Sequence, residues 1–128
     1  MNIDKFGRTP IYEQIIGEIE KEILSGVLKP MDQLQSVRAL SVEISINPNT
    51  IQKSYSELER LGVCYSAPGQ GRFVSADAVE KIRSSKMSIL TEINRLVGEL
   101  LTVGMPFDEI MASISEYADR RKRGNSAK

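Results

Sequence analysis

The chain has 128 residues, enough for one ordinary domain or for a small domain with an appendage. Its 17 basic residues balance its 17 acidic ones, so overall charge does not favour general binding to polyanions or to membrane surfaces. The chain contains no histidine, which is the commonest general base and the commonest zinc ligand. We therefore expect neither an enzyme nor a bound metal or cofactor.

The single cysteine, Cys64, cannot form an intramolecular disulfide. It lies between Val63 and Tyr65 in an apolar run, which predicts a buried structural thiol rather than a nucleophile. No apolar run approaches the roughly 18 residues of a membrane span, and the start lacks the apolar segment of a signal peptide. These features predict a cytoplasmic protein with no membrane partner.

Three helices are predicted in the first half of the chain. Over residues 10–25, apolar side chains recur at three- and four-residue spacing, which indicates an amphipathic helix. A second helix is expected from about residue 36 to residue 44, capped by Ser36 or by Gln35. After a short turn, a third helix is predicted over residues 47–61.

The third helix begins without acidic residues. No Asp or Glu occurs from Asn47 to Ser56, although carboxylates are normally favoured at the positive N-terminus of a helix. An end free of carboxylates suits phosphate, and the Asn, Gln and Lys side chains found there can reach base edges. The plainer alternative is a generic helix start, since Asn caps helices and Pro fits the first helical position.

Two short β-like runs follow at residues 63–66 and 72–75, and the Pro/Gly-rich turn between them predicts a hairpin. From about residue 77 to residue 103, apolar residues recur at heptad-like spacing, with Lys86 interrupting the stripe. This pattern indicates one long helical stretch, which residues 104–106 end before a last helix begins.

Three helices followed by a two-stranded hairpin is the element order of a winged helix-turn-helix, whose second reader helix meets base edges in the major groove. The predicted fold class is mainly α with a small β-hairpin. It combines an N-terminal winged helix-turn-helix DNA-binding domain at residues 1–75 with a C-terminal two-helix dimerisation region at 76–122 and a disordered tail at 123–128. The recognition helix would be residues 47–61 and the wing residues 66–72.

Within residues 9–74, four pieces stand in a familiar order and spacing: SVRALS, NPNT, YSELERLG and GQGRFV. Together they resemble the N-terminal domain of GntR-type bacterial transcription regulators. The NPNT form and the short helical C-terminal part resemble the YtrA subfamily, which lacks the large effector-binding domain of its relatives. The resemblance implies a homodimeric transcription repressor that binds double-stranded, palindromic operator DNA, and it implies no particular small-molecule effector.

The resemblance also implies which side chains contact DNA. Arg38, in the first turn of the second helix, would bind phosphate. The recognition helix would contribute Asn47, Asn49, Thr50, Gln52 and Lys53. The hairpin tip would enter the adjacent minor groove with Gln70, Gly71 and Arg72.

The sequence departs from the family pattern in two places. The loop usually reads Lys-Pro-Gly-Asp-x-Leu-Pro-Ser, and here Met31 and Gln35 replace the glycine and the second proline. Ser45 stands where the family usually has glycine, in the turn between the reader helices. These replacements alter local backbone preference and leave the expected contact residues unchanged.

The apolar stripe over residues 82–103 is wider than one short partner helix can cover, and an exposed strip of that size promotes association. Two copies packed together, with residues 107–117 closing the bundle, would bury it and relate two readers by a twofold axis. The alternatives are a monomer whose last helices fold onto the winged domain, and a protein-interaction module that does not bind DNA. The predicted interface residues are Ile82, Ile89, Ile93, Leu96, Leu100, Val103, Ile110 and Ile114.

Overall fold

The computed structural model describes residues 1–126 and divides the chain into two units, Met1–Ser85 and the residues from Lys86 onward. No helix within the described range is both long and apolar enough to cross a membrane. The elements in chain order are α1 (Ile11–Leu24), α2 (Val37–Ile44), α3 (Pro48–Arg60), β1 (Cys64–Ala67), β2 (Gly71–Val74), α4 (Ala78–Ser85), α5 (Met87–Thr102) and α6 (Phe107–Ser126).

The first unit has a continuous apolar core that the helical periodicity explains. Helix α1 buries Ile15, Ile19 and Ile23, because residues four apart lie on one face of a helix. Helix α3 packs against α1 and α2 and buries Ile51 and Leu58 completely. Each such side chain stabilises the fold by about 1.5–3 kcal/mol relative to an exposed one. The three predicted helices of this unit are confirmed.

The predicted hairpin is also confirmed. Strands β1 and β2 pair antiparallel, with Cys64 opposite Val74 and Ala67 opposite Gly71. Cys64 is buried, and this burial raises the pKa of its thiol to about 11. The thiol is therefore neutral at physiological pH, as expected for a structural cysteine.

The loop after α1 adds a short third segment to the hairpin. The Met31 amide donates to the Val74 carbonyl at 2.8 Å, the Val74 amide donates to the Asp32 carbonyl at 2.8 Å, and the Leu34 amide donates to the Arg72 carbonyl at 2.8 Å. These bonds satisfy backbone groups on the outer edge of β2. The wing is thus fastened to the helical part of the unit rather than projecting as an isolated hairpin.

The two departures from the family pattern occur where the backbone is left-handed. Met31 has φ 73° and Ser45 has φ 55°, and they are the described non-glycine residues with positive φ. The backbone keeps the conformation that glycine favours, although a side chain there costs roughly 1–2 kcal/mol per residue. Met31 and Ser45 therefore place strain at these two turns.

The long helical stretch predicted from residue 77 is interrupted. Helix α4 ends at Ser85, and α5 begins at Met87 after a single non-helical residue, Lys86. Helix α4 packs against α1, and its Ala78 and Ile82 join the core of the first unit. The first unit thus extends to Ser85 instead of ending at residue 75, because α4 has a buried face of its own.

The second unit consists of α5 and α6, the two helices predicted for the C-terminal part. Residues 103–106 connect them, and the Ile110 amide donates to the Pro106 carbonyl in the first turn of α6. Helix α6 continues to Ser126, so residues 123–126 are helical where the sequence predicted a disordered tail. The helix passes through Gly124, a residue that weakens helices, and the rest of the predicted tail lies outside the described residues.

Candidate nucleic-acid interface

The turn between α2 and α3 fixes the angle of the reader pair. The side chain of Ser36 caps α2 by accepting from the Ala39 amide at 3.0 Å, which selects between the two caps that the sequence allowed. At the other end, Ser41 donates its hydroxyl to the Ile46 carbonyl at 2.6 Å. Ile46 is itself buried, so the short turn is anchored to the core at its centre.

Asn47 caps α3. Its side-chain oxygen accepts from the Asn49 amide at 2.8 Å, and Pro48 occupies the first helical position. The capping function that the sequence offered as the plainer alternative is therefore present. It occupies the side-chain oxygen of Asn47 and leaves the exposed amide nitrogen, a donor, for a ligand.

The exposed face of α3 carries the predicted reader residues. Asn49, Gln52 and Lys53 are exposed and Thr50 is half-buried. Gln52 donates to the Ser56 hydroxyl at 3.2 Å, a bond along the helix surface that a base edge could replace. No acidic residue lies in the first turn, so this positive helix end is free of carboxylates.

Lys53 has a contact that the sequence did not suggest. Its ammonium lies 3.9 Å from the centroid of the Tyr12 ring, on α1. Tyr12 in turn donates its hydroxyl to Glu13, and this bond raises the pKa of the phenol. Tyr12 fits the apolar spacing of residues 10–25, and only its contact with Lys53 identifies it as a residue that orients a cation.

Arg38 lies in the first turn of α2, where it is exposed. Within the part of the chain that the structure describes, no ion pair involves it. Its exposure and its unpaired charge agree with the expected phosphate contact, which stays a prediction.

The residues predicted for the wing differ in exposure and in their contacts. Gln70 is exposed at the tip, where its carbonyl accepts from the Gln33 side chain at 2.9 Å. Gly71 has φ 116°, and a Cβ there would lie 2.7 Å from the Gln33 amide nitrogen. The positive φ favours glycine here, whereas the end of the flexible Gln33 side chain could shift to admit a Cβ. Gln33 is part of the wing through its bond to Gln70, a contact that no local sequence pattern indicates.

Arg72 differs from the expectation that it lies at the hairpin tip. It belongs to β2, opposite Ser66, and its guanidinium carbon lies 5.4 Å from the centroid of the Tyr55 ring. Its Nε atom is buried without a hydrogen-bond partner. Because strand residues alternate between faces, Arg72 points toward the core side, and at most the outer end of its guanidinium is available to a ligand.

The eight residues predicted for dimerisation differ in burial. Ile82 is buried in the core of the first unit, which corrects its assignment to an interface. Ile110 is buried between α5 and α6. The other six predicted residues are at least 37 % exposed. Further exposed apolar side chains extend the same surface: Leu90, Leu101, Phe107, Met111 and Tyr117.

This architecture is shared with known regulators. Residues 11–74 match the family model described as bacterial regulatory proteins, gntR family. The chain is 36 % identical over 125 residues to the HTH-type transcriptional repressor YtrA of Bacillus subtilis (strain 168), covering 97 % of this chain and 96 % of that protein.

Solved structures give the same result. A GntR family transcriptional regulator from Listeria monocytogenes has a TM-score of 0.65 at 32 % identity, covering 89 % of this chain and 98 % of that chain. The DNA-binding domain of AraR in complex with operator ORR3 has a TM-score of 0.51 at 27 % identity, covering 59 % and 90 % respectively. The chain is therefore a member of the GntR family of DNA-binding transcription regulators, in its YtrA subfamily, and is not an enzyme.

Proposed function

We propose that the protein is a dimeric transcription repressor of the bacterial cytoplasm that binds palindromic operator DNA. Helix α3 would enter the major groove and the wing the adjacent minor groove. The observation that carries the proposal is the exposed, carboxylate-free first part of α3, backed by a rigid core. Asn49, Gln52 and Lys53 are exposed on one face of α3. Ile51 and Tyr55 are buried on the opposite face, so the core fixes the orientation of the helix and of its reader residues.

The relatives support the type of activity. YtrA of Bacillus subtilis is a transcriptional repressor by name, and the AraR domain was solved bound to operator DNA. In a winged helix-turn-helix with the element order of this chain, the start of the second reader helix meets base edges. Repression is accordingly the mode of regulation that we assign.

The second unit supports the dimer. Its two helices bury one large apolar side chain, Ile110, among the described residues, and leave many others exposed. A groove between α5 and α6, lined by Leu96, Leu100 and Ile114 among others, could receive the same helices of a second copy. Such an isologous contact places two identical readers about a twofold axis, which is the symmetry of a palindrome.

The reader side chains would divide the recognition between them. Lys53 and Arg38 carry full charges, which suit phosphates, and phosphate contacts set the register without reading sequence. Asn49 and Gln52 are neutral amides that can pair with adenine N6 and N7 in the major groove. Asn47, whose oxygen is used in the cap, would contribute a donor only.

Binding titrations over a salt series test this division. Lys53→Ala should weaken binding to operator and random duplex alike, with a salt slope shallower by about one unit per half-site. Asn49→Ala and Gln52→Ala should each cost about 1–3 kcal/mol on the operator and little on random duplex. An unchanged ratio of operator to random affinity in both variants would exclude base reading.

A mobility assay on the DNA upstream of the gene tests the function as a whole. Absence of a shift at low salt with any duplex would favour the alternative, a protein-interaction module that uses the C-terminal helices. Sedimentation equilibrium tests the dimer separately, and a monomer at micromolar concentration would contradict it.

A further inference from the structure

Residues 4–8, here called the N-terminal arm, are folded back onto the start of α1. The Gln14 side chain accepts from the Asp4 amide at 2.7 Å and donates to the Asp4 carbonyl at 2.8 Å and to the Thr9 carbonyl at 2.8 Å. Within the arm, Asp4 accepts from the Phe6 amide through a carboxylate oxygen at 3.0 Å. The preceding Ile3 is partly buried against the core of the unit. The arm therefore has a defined position.

That position is beside the recognition helix. The Lys5 ammonium donates to the Ser45 carbonyl at 3.2 Å, in the turn that leads into α3. The start of α1 is held against α3 itself, because the Ser54 hydroxyl donates to the Tyr12 carbonyl at 2.8 Å. The arm thus borders the N-terminal part of α3, next to the surface assigned to DNA.

The arm presents two cations and an aromatic ring to solvent. Lys5 and Arg8 are exposed, and Arg8 is in no ion pair within residues 1–126. The carbonyl that Lys5 contacts leaves its charge unneutralised. Phe6, between them, is 98 % exposed, an arrangement that costs free energy in the isolated protein. Asp4 and Glu13 are likewise bound to neutral groups, the Phe6 amide and the Tyr12 hydroxyl, so residues 4–8 hold two basic side chains and one acidic one.

We infer that the N-terminal arm is a second DNA-contacting element, which rests on the proposed DNA-binding function. In this arrangement Lys5 and Arg8 bind backbone phosphates of double-stranded DNA that flank the base pairs read by α3, and Phe6 packs against the adjoining sugars. Charge complementarity and continuity with the α3 surface favour this occupant over a protein partner. Because the arm is held in place before binding, its contacts cost little ordering entropy.

The test uses the full chain and a random-sequence duplex of about 30 base pairs, since phosphate contacts do not depend on sequence. The double variant Lys5→Gln/Arg8→Gln is compared with Lys21→Gln/Arg83→Gln, which removes the same charge from exposed positions elsewhere in the first unit. We expect the arm variant to bind about tenfold more weakly and to lower the salt slope by about two units per protomer. The control should leave the slope unchanged.

Two further variants locate the effect. Gln14→Ala keeps both cations but removes the bonds that hold the arm, so it should weaken binding about threefold through lost preorganisation. Phe6→Ala should weaken binding a few-fold with an unchanged salt slope, because it removes contact and no charge. Melting temperatures equal to that of the wild type establish that the arm variants are folded.

The outcomes separate the two proposals. If the wild type binds DNA and Lys53→Ala lowers the salt slope, but Lys5→Gln/Arg8→Gln does not, the arm inference is wrong and the proposed function stands. If the arm variant and its control weaken binding equally, the effect is general electrostatics and the inference is again wrong. If the wild type binds no duplex, both fail.

Discussion

The two units of this chain bury their apolar side chains to very different degrees. In the first unit, Met1–Ser85, fourteen buried apolar residues form one cluster that joins all of its helices and the hairpin. In the second unit, Ile110 is the buried apolar residue among those described, while large side chains such as Ile93 and Leu100 remain 41 % and 37 % exposed. The helices of both units are amphipathic, so the difference lies in what covers the apolar face.

This contrast indicates two sources of stability. The first unit satisfies its apolar surface internally, and its folding should not depend on protein concentration. A two-helix unit with so much exposed apolar surface is marginal by itself and should gain most of its stability from association. In the proposed function, DNA binding is assigned to the self-sufficient first unit and dimerisation to the second.

The largest expected effect is from a charge placed on the exposed face of the second unit. Leu96→Glu should raise the dimer dissociation constant by at least about a hundredfold, because each interface would then bury two unpaired carboxylates. Sedimentation equilibrium measures this change. The matched control is Val27→Glu, at an exposed apolar position of the first unit, and it should leave the dimer intact.

The unfolding of Leu96→Glu at several protein concentrations tests whether the two units differ in their source of stability. The melting of the first unit should be unaffected in Leu96→Glu, whereas the concentration-dependent transition should disappear. A Leu96→Glu protein that remains dimeric would show that the exposed face of α5 and α6 is not the interface.

A smaller effect is expected at Tyr55, in the core of the first unit. Its hydroxyl donates to the Gln35 carbonyl at 2.7 Å, and burial raises its pKa from 10 to about 12. The unfolded chain ionises this phenol near pH 10, so its stabilising contribution is complete below that value and is lost as pH rises toward 12. Tyr55→Phe should cost about 1 kcal/mol at neutral pH, because the carbonyl loses its donor.

Denaturant titrations between pH 7 and pH 12 test this prediction. The free energies of unfolding of wild type and Tyr55→Phe should converge above pH 10. Cys64, whose pKa burial raises to about 11, is present in both and adds the same decline. Tyr117→Phe, at a tyrosine of the second unit that is 62 % exposed, is the control and should run parallel to the wild type. Parallel curves for Tyr55→Phe would contradict the prediction.

The smallest expected effect is a gain in the stability of the first unit. Ser45→Gly and Met31→Gly should each stabilise the first unit by about 0.5–1 kcal/mol, since glycine relieves the left-handed strain at a lesser entropic cost. Thermal unfolding monitors the gain. Ser25→Gly is the control, because Ser25 has φ −86° and glycine there relieves no strain. It should destabilise the first unit, through the entropic cost and the loss of the Ser25 hydroxyl bond to the Glu22 carbonyl. Equal changes at all three sites would mean that Met31 and Ser45 are unstrained.

Sequence patterns predicted the local elements well. The spacing of isoleucines in α1, the cap at Asn47 and the Pro/Gly turn of the hairpin each depend on residues within a few positions of one another. The exposed face of α3 could also be predicted from the sequence, because the helical period fixes which side chains lie opposite the buried Ile51 and Leu58. Such features need no knowledge of the rest of the fold.

The remaining features depend on contacts between distant residues. Ile82 fits a heptad pattern equally well in a dimer interface and in the first unit's core, and only the packing of α4 on α1 decides between them. Lys5 lies 40 residues from Ser45, and Gln33 lies 37 residues from Gln70. Periodicity and capping act within a turn or two of helix, so they establish the elements of this chain and its reader face. The arm, the fastened wing and the division into units were decided by the tertiary structure, because side chains far apart in sequence meet only when the core forms.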